Sequence, residues 1–185
     1  GYADPKPLIR IGGKPMIQHV VELFPGNTKV SFICNDRHLA ETDMREVLCR
    51  VCPHGNIYSV PVDGRQGPVH AVSLIFDKIV DKDEEVIVSY CDYGTTWDYE
   101  AFLRDVRGRG ADGAIACYTG FHPHMLGTDN YAFVRLGPTG WADGVREKQP
   151  FTDNRMAEYA SNGTYYFRNC ALMQRYFQRL MDRRM

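Results

Sequence analysis

In EVIVSYCD, residues 85–92, Val86, Ile87 and Val88 run into Ser89, Tyr90 and Cys91, and the segment ends on an aspartate. A short apolar run rich in β-branched residues, without polar alternation, reads as a strand covered on both faces, the kind found in a parallel sheet between helices. Gly94 follows closely and permits a tight turn behind Asp92. In open sheets of that type, ligands bind beyond the carboxyl ends of the strands, where the loops of neighbouring strand–helix units converge. The strand therefore delivers a carboxylate to the place where chemistry is expected.

Working outward, KPLIRI (6–11), TKVSFIC (28–34) and NIYSVPV (56–62) are further strand-like runs bounded by Gly, Pro, Asn or Asp. Helical patterns lie between them at 15–24, 38–50 and 68–80, the last with an apolar face of Val69, Val72, Leu74, Ile75, Phe76 and Ile79. Pro15, just after Gly12 and Gly13, suits a first helical position. Beyond the loop DYGTTWD come a helix at 99–107, ended by Gly108 and Gly110, and a strand at 113–119. The character then changes. FHPHMLGTDN is a polar, turn-rich loop; YAFVRL (131–136) and residues 145–147 form a hairpin across GPTGWADG; GTYYFRN (163–169) is another strand; and a helix runs from Cys170 to the charged Asp182, Arg183 and Arg184. The reading is an α/β chain, one domain over residues 1–185, with a mixed β insertion in its back half.

Composition narrows the function. The 185 residues are 44% apolar and 24% charged, which is ordinary for a globular protein with a proper core. A net charge of −1, with Lys and Arg dispersed, gives no basic stripe for nucleic acid. No run of 18 apolar residues suggests a membrane span and no leader is visible. Cys34, Cys91 and Cys117 sit in or beside strand-like runs, so the six cysteines read as free thiols and the compartment as cytoplasmic. Cys49 and Cys52, with His54 close behind, lack a fourth ligand at a zinc spacing and read as small residues at a helix terminus.

Several loops offer candidate chemistry. Asp92 suits a hard divalent cation such as Mg²⁺, yet position alone equally allows a cap of the following turn. In the loop from Gly64 to Pro68, glycines admit a ligand to the backbone amides and Gln66 offers an amide for a base edge; a plain turn is the alternative. Lys148 in REKQPF, taken alone, is a solvated lysine. His122, His124 and Asp129 match no familiar metal spacing and suggest a substrate-facing loop instead.

Together these segments resemble the nucleotidyltransferase family that includes the sugar-1-phosphate nucleotidylyltransferases, or NDP-sugar pyrophosphorylases. PKPLIRIGGKPMIQHVVE is similar to its lysine-proline signature and first helix, RQGPVHAV to its base loop, VIVSYCD to the strand ending in its metal-binding aspartate, and REKQPF with NGTYYFRN to its Glu-Lys-Pro and Gly-Ile-Tyr motifs. The resemblance covers nearly the whole chain and implies a Rossmann-like three-layer αβα fold of the GT-A type, with a mixed, mainly parallel central sheet and a β insertion. It implies that Lys6 contacts the nucleotide phosphates, that Asp92 binds Mg²⁺, that Gln66 and Gly67 hold base and ribose, that Glu147 and Lys148 bind the sugar phosphate, and that Gly163 lines the sugar pocket. Three departures stand out. The family's glycine-rich loop does not precede Lys6, the motif reads EKQP where EKP is usual, and Asp182 is a poor match to a second metal-binding aspartate. The expectation is a fragment lacking that loop and a C-terminal end.

The reaction so implied joins a phosphorylated acceptor to the α-phosphorus of a nucleoside triphosphate and releases pyrophosphate. Partners would be the triphosphate and the acceptor, with no nucleic acid and no membrane; homo-oligomerisation is left open. The loop YTGFHPHMLGTDNYAF resembles the capsule and surface-polysaccharide group of the family. A GT-A glycosyltransferase is one alternative, although Asp92 is followed by Tyr93 and Gly94 where Asp-x-Asp is usual. A catalytically inactive homologue serving as a regulatory or scaffold domain is the other.

Overall fold

The computed structural model describes residues 4–26, 29–64, 66–78 and 81–183. Expectations resting on Thr28, Arg65, Ile79, Val80 and Arg184, or on the side chain of His124, fall outside what is described. The chain divides into two compact units, one of Gly1–Val86, Tyr90–Asp112 and Phe167–Met185, the other of Ile87–Ser89 and Gly113–Tyr166.

The first unit begins differently from the expected strand at 6–11. Lys6–Leu8 form a 3-10 turn, followed by β1 (Arg10–Ile11) and β2 (Lys14–Pro15) in an antiparallel hairpin. Pro5 and Pro7 carry no amide hydrogen to donate to a ladder, and the Leu8 amide instead bonds the Pro5 carbonyl at 2.9 Å. Gly12 (φ 58) and Gly13 (φ 85) make the two-residue turn, whose central positions both require left-handed backbone.

Helix α1 (Met16–Glu22) follows, then β3 (Ser31–Asn35), α2 (Asp36–Glu41), α3 (Met44–Val51), β4 (Asn56–Val60), α4 (Pro68–Ser73), α5 (Tyr99–Gly108) and α6 (Cys170–Asp182). The helix expected at 38–50 is broken at Thr42, whose hydroxyl donates to the His38 carbonyl at 2.6 Å and accepts the Met44 amide at 3.3 Å. Such side-chain bonds compete with the helical ladder. The helix expected at 68–80 is likewise shorter: α4 ends at Ser73 and a 3-10 turn covers Phe76–Lys78. β3 and β4 pair in parallel, from Ser31 opposite Asn56 to Asn35 opposite Val60.

Leu8, Ile17, Val20, Phe32, Met44, Val47 and Leu48 make one buried core, with Tyr93 and Cys52 packed against it. Gly55 must be small, because a Cβ there would lie 2.7 Å from the Phe32 ring. Helix α6 packs on α4, and the Phe177 ring meets those of Phe76 and Phe167.

The second unit is built on β5 (Val86–Ser89), β6 (Gly113–Tyr118), β7 (Ala132–Leu136), β8 (Ala142–Glu147) and β9 (Tyr159–Phe167). The sheet order is β5-β9-β7-β8, with β6 also on β9. β7 runs antiparallel to both β8 and β9 while β3 and β4 pair in parallel, so the strand pairings are mixed. Phe133 and Ala160, opposite each other on β7 and β9, are both fully buried, and Thr164 and Tyr166 of β9 are nearly so. No helix among the described residues is long and apolar enough to cross a membrane.

Candidate functional site

Two residues beyond Lys6, Leu8 enters the first unit's core; one residue beyond Asp92, Tyr93 packs against that same core. Two segments far apart in sequence are thereby fixed to one scaffold, and Lys6 Nζ donates to Asp92 Oδ2 at 2.8 Å. The lysine side chain is 73% exposed and the carboxylate 27%. An ion pair this open to water contributes about 0–1 kcal/mol to stability, so the fold does not depend on it. What it provides is a cation and an anion held side by side at the surface.

The loop that carries Asp92 is tied at its far end as well. Trp97 Nε1 donates to the Leu23 carbonyl at 2.9 Å, its ring packs among Phe24, Tyr99 and Phe102, and Asp98 caps α5 through the Ala101 amide. The signal for Trp97 in the sequence is a lone tryptophan in the loop DYGTTWD. Burial pushes the Cys34 thiol up to about 11, with Cys91, the residue before Asp92, adding to the shift. A cavity of about 810 Å³ in the same unit is lined by Leu8, Arg10, Gln18, Thr42, Asp43 and Arg50 among others, and neither Lys6 nor Asp92 lines it.

Gln66 and Gly67 stand immediately before α4. Gly67 is the N-cap, at φ 107, a conformation that L side chains avoid. Gln66 is exposed, and its backbone N–H donates to His70 Nδ1 at 3.1 Å. Cys49 lies on α3 and Cys52 at its C-cap.

Glu147, Lys148 and Gly163 belong to the second unit. Glu147 ends β8 opposite Ala132. Lys148 is exposed and sits at φ 54, alone among the described non-glycine residues in having positive φ. Its amide donates to the Tyr131 carbonyl at 3.1 Å. A bulky residue in left-handed backbone is a local strain that neighbouring structure has to hold, and such strain concentrates at functional positions. Gly163, at φ 88, interrupts the regular course of β9, and its amide donates to Ser161 Oγ at 3.1 Å.

Nothing in the sequence marks Glu158. Its carboxylate accepts the Phe151 amide at 2.8 Å, the Thr152 amide at 2.6 Å and the Thr152 hydroxyl at 2.7 Å. Burial opposes its ionisation, but these bonds prevail and hold the carboxyl below its ordinary value. The Phe151 ring lies 4.9 Å from the Arg135 guanidinium and 4.4 Å from that of Arg146. The rings of His122, Tyr118 and Tyr131 cluster in mutual contact, and burial pushes the Tyr118 phenol up to about 12. Asp129 is engaged by Arg155 at 2.8 Å.

No group of three or more His, Cys, Asp or Glu among the described residues makes a metal cage. Asp92 contributes a single carboxylate at the head of a loop. That donor set fits an ion such as Mg²⁺, which takes one or two carboxylates and completes its shell with phosphate oxygens and water, and it does not fit a protein-caged zinc.

A sequence profile for the MobA-like NTP transferase domain matches residues 1–143. Among solved structures, the chain is similar to CMP:2-keto-3-deoxy-manno-octonic acid synthetase complexed with CTP, with a TM-score of 0.66 and 23% identity over 96% of this chain and 73% of that one. It is also similar to a provisionally assigned glucose-1-phosphate thymidylyltransferase from Bacillus anthracis in complex with sucrose, with a TM-score of 0.69 and 16% identity over 97% of this chain and 67% of that one. At these identities the likeness establishes the α/β nucleotidyltransferase fold. No curated protein sequence matches the chain.

Proposed function

The chain belongs to the MobA-like NTP transferase domain family, and from that premise we propose that it transfers a nucleoside monophosphate from a triphosphate to a sugar 1-phosphate or similar phosphorylated acceptor. The Lys6–Asp92 pair carries this reading: a cation and a carboxylate 2.8 Å apart, each braced by the same core, suit a triphosphate accompanied by a divalent ion. The solved structures similar to the chain include one with CTP and one with a sugar, which supports the same substrate classes.

In the reaction, an oxygen of the acceptor phosphate bonds to the α-phosphorus in line as the bond to the pyrophosphate oxygen breaks, and pyrophosphate leaves. A phosphate monoester is already ionised near neutral pH, so no general base is needed. Most of the work is alignment and charge neutralisation. Lys6, with its arm in solvent, exchanges Asp92 for the triphosphate oxygens. Asp92, so released, would hold Mg²⁺, which when bound supplies positive charge that stabilises the transferring phosphoryl group. Gln66 and Gly67 receive base and ribose. Lys148 and Glu147 hold the acceptor, Lys148 countering the negative charge of its phosphate, and Gly163 leaves room for the sugar. This reading takes the fold as GT-A-like, and the products would feed surface or capsular polysaccharide synthesis from the cytoplasm.

Screening CTP, UTP, dTTP and GTP against a panel of sugar and small-alcohol phosphates, with pyrophosphate as the readout, tests this proposal. One pair should give Mg²⁺-dependent, acceptor-dependent release. Hydrolysis of a nucleotide sugar in place of its synthesis would favour the glycosyltransferase reading.

A further inference from the structure

We infer that Glu158 is a positioning residue for the acceptor phosphate, its carboxylate fixing residues 148–152 in the conformation that presents Lys148. This rests on the reading of Lys148 as the acceptor-phosphate ligand. The left-handed backbone at Lys148 persists only where both flanks over-determine it. On the N-terminal side, β8 ends one residue earlier with Glu147 opposite Ala132, and the Lys148 amide is bonded to the Tyr131 carbonyl. On the C-terminal side only Gln149 and Pro150 intervene before the Phe151 and Thr152 amides, which both donate to Glu158. One carboxylate thus satisfies three donors with the Thr152 hydroxyl included, and closes the loop three residues past the lysine.

The ring of Phe151 adds a second constraint. It lies against Arg135 and Arg146, and it approaches Gly144 so closely that a Cβ there would be 3.1 Å from it. Glu158 itself sits just before the buried Ala160 and Ser161 of β9, a rigid base from which to hold a loop. A lysine whose ammonium must meet one phosphate gains from a backbone anchored on both sides, because misplacement by an ångström weakens transfer sharply.

The test compares Michaelis constants for triphosphate and acceptor in the wild type, Glu158→Gln, Thr152→Val, Lys148→Ala and the Lys148→Ala/Glu158→Gln double variant, with thermal unfolding recorded for each. Glu158→Gln keeps the side chain's size but replaces one accepting oxygen with a donor. It should raise the acceptor constant about tenfold and leave the triphosphate constant within about twofold. Thr152→Val, which removes one of the three donors, should raise it by about twofold to threefold and carries the test if the glutamine variant fails to fold. In the Lys148→Ala background the glutamine change should add nothing further. An unchanged acceptor constant in folded Glu158→Gln, beside a raised one in Lys148→Ala, overturns the inference and leaves the reading of Lys148 standing. Full multiplication of the two effects overturns it as well. Lys148→Ala with an unaltered acceptor constant removes the premise itself.

Discussion

At position 6 the lysine's ion pair is open to water, and that makes its substitution informative. Replacing Lys6 by Ala deletes an exposed ion pair worth about 0–1 kcal/mol, so the melting temperature should move by no more than about 2–4 °C. Turnover should fall by about 10²–10³-fold if the ammonium neutralises the triphosphate, and calorimetry beside a pyrophosphate assay separates the two effects. The thiols give a second residue-scale prediction. Burial pushes Cys34 and Cys117 up to about 11, so both stay protonated at pH 8 and should alkylate slowly in the native protein. Exposed Cys49 should be labelled first in a peptide-mapping time course. Sequence singled out Asp92 because it ends an apolar run, and Lys6 because its segment resembles a family's lysine-proline signature, but their 2.8 Å separation depends on two distant segments entering one core. Glu158 was illegible for another reason: in NRMAEYA it looks like any surface carboxylate, and its three donors are backbone and hydroxyl groups that no spacing announces.

Elements were readable where periodicity was long enough to register. β3, β4 and β7, and α1, α5 and α6, lie where alternating apolar patterns put them. The two-residue strands β1 and β2 were not foreseen, since so short a pair carries no period and is specified by Gly12 and Gly13. The break between α2 and α3 likewise comes from one hydroxyl at Thr42. Packing between elements predicts that Gly55→Ala, just before β4, will destabilise the protein by about 1–3 kcal/mol in urea unfolding, because the new methyl meets the buried Phe32 ring at 2.7 Å. The 148–158 loop makes a pH prediction with a definite sign. Glu158 has a lower pKa folded than unfolded, so it binds fewer protons in the native state and its contribution is complete above the unfolded carboxyl value of about 4.3. That contribution fades as the pH falls through the depressed folded value. Below pH 4 the 151–152 amides should therefore lose hydrogen-exchange protection earlier than those of β7, and Glu158→Gln, which cannot titrate, should remove that pH dependence.

Over the whole molecule, chain order and spatial grouping diverge. Residues 167–183 return to the first unit after the second unit has been traversed, and α6 buries Cys170, Leu172 and Met173 there. Met173, fully buried, should cost about 2–5 kcal/mol when changed to Ala, seen as a lower midpoint in denaturant. The alternation of strand and helix made the α/β class legible, and the order of five short motifs made the family legible, because order is a property of the whole chain that no single motif has. Base and acceptor stayed out of reach, since they depend on the shape of loops such as 119–131 rather than on residue type. The most direct measurement is pyrophosphate release by the full-length protein with Mg²⁺ across the triphosphate and acceptor-phosphate panel, run beside Asp92→Asn. One pair should turn over, and the variant should remain folded and lose that activity; release from no pair by folded protein, or wild-type turnover in Asp92→Asn, would contradict the account.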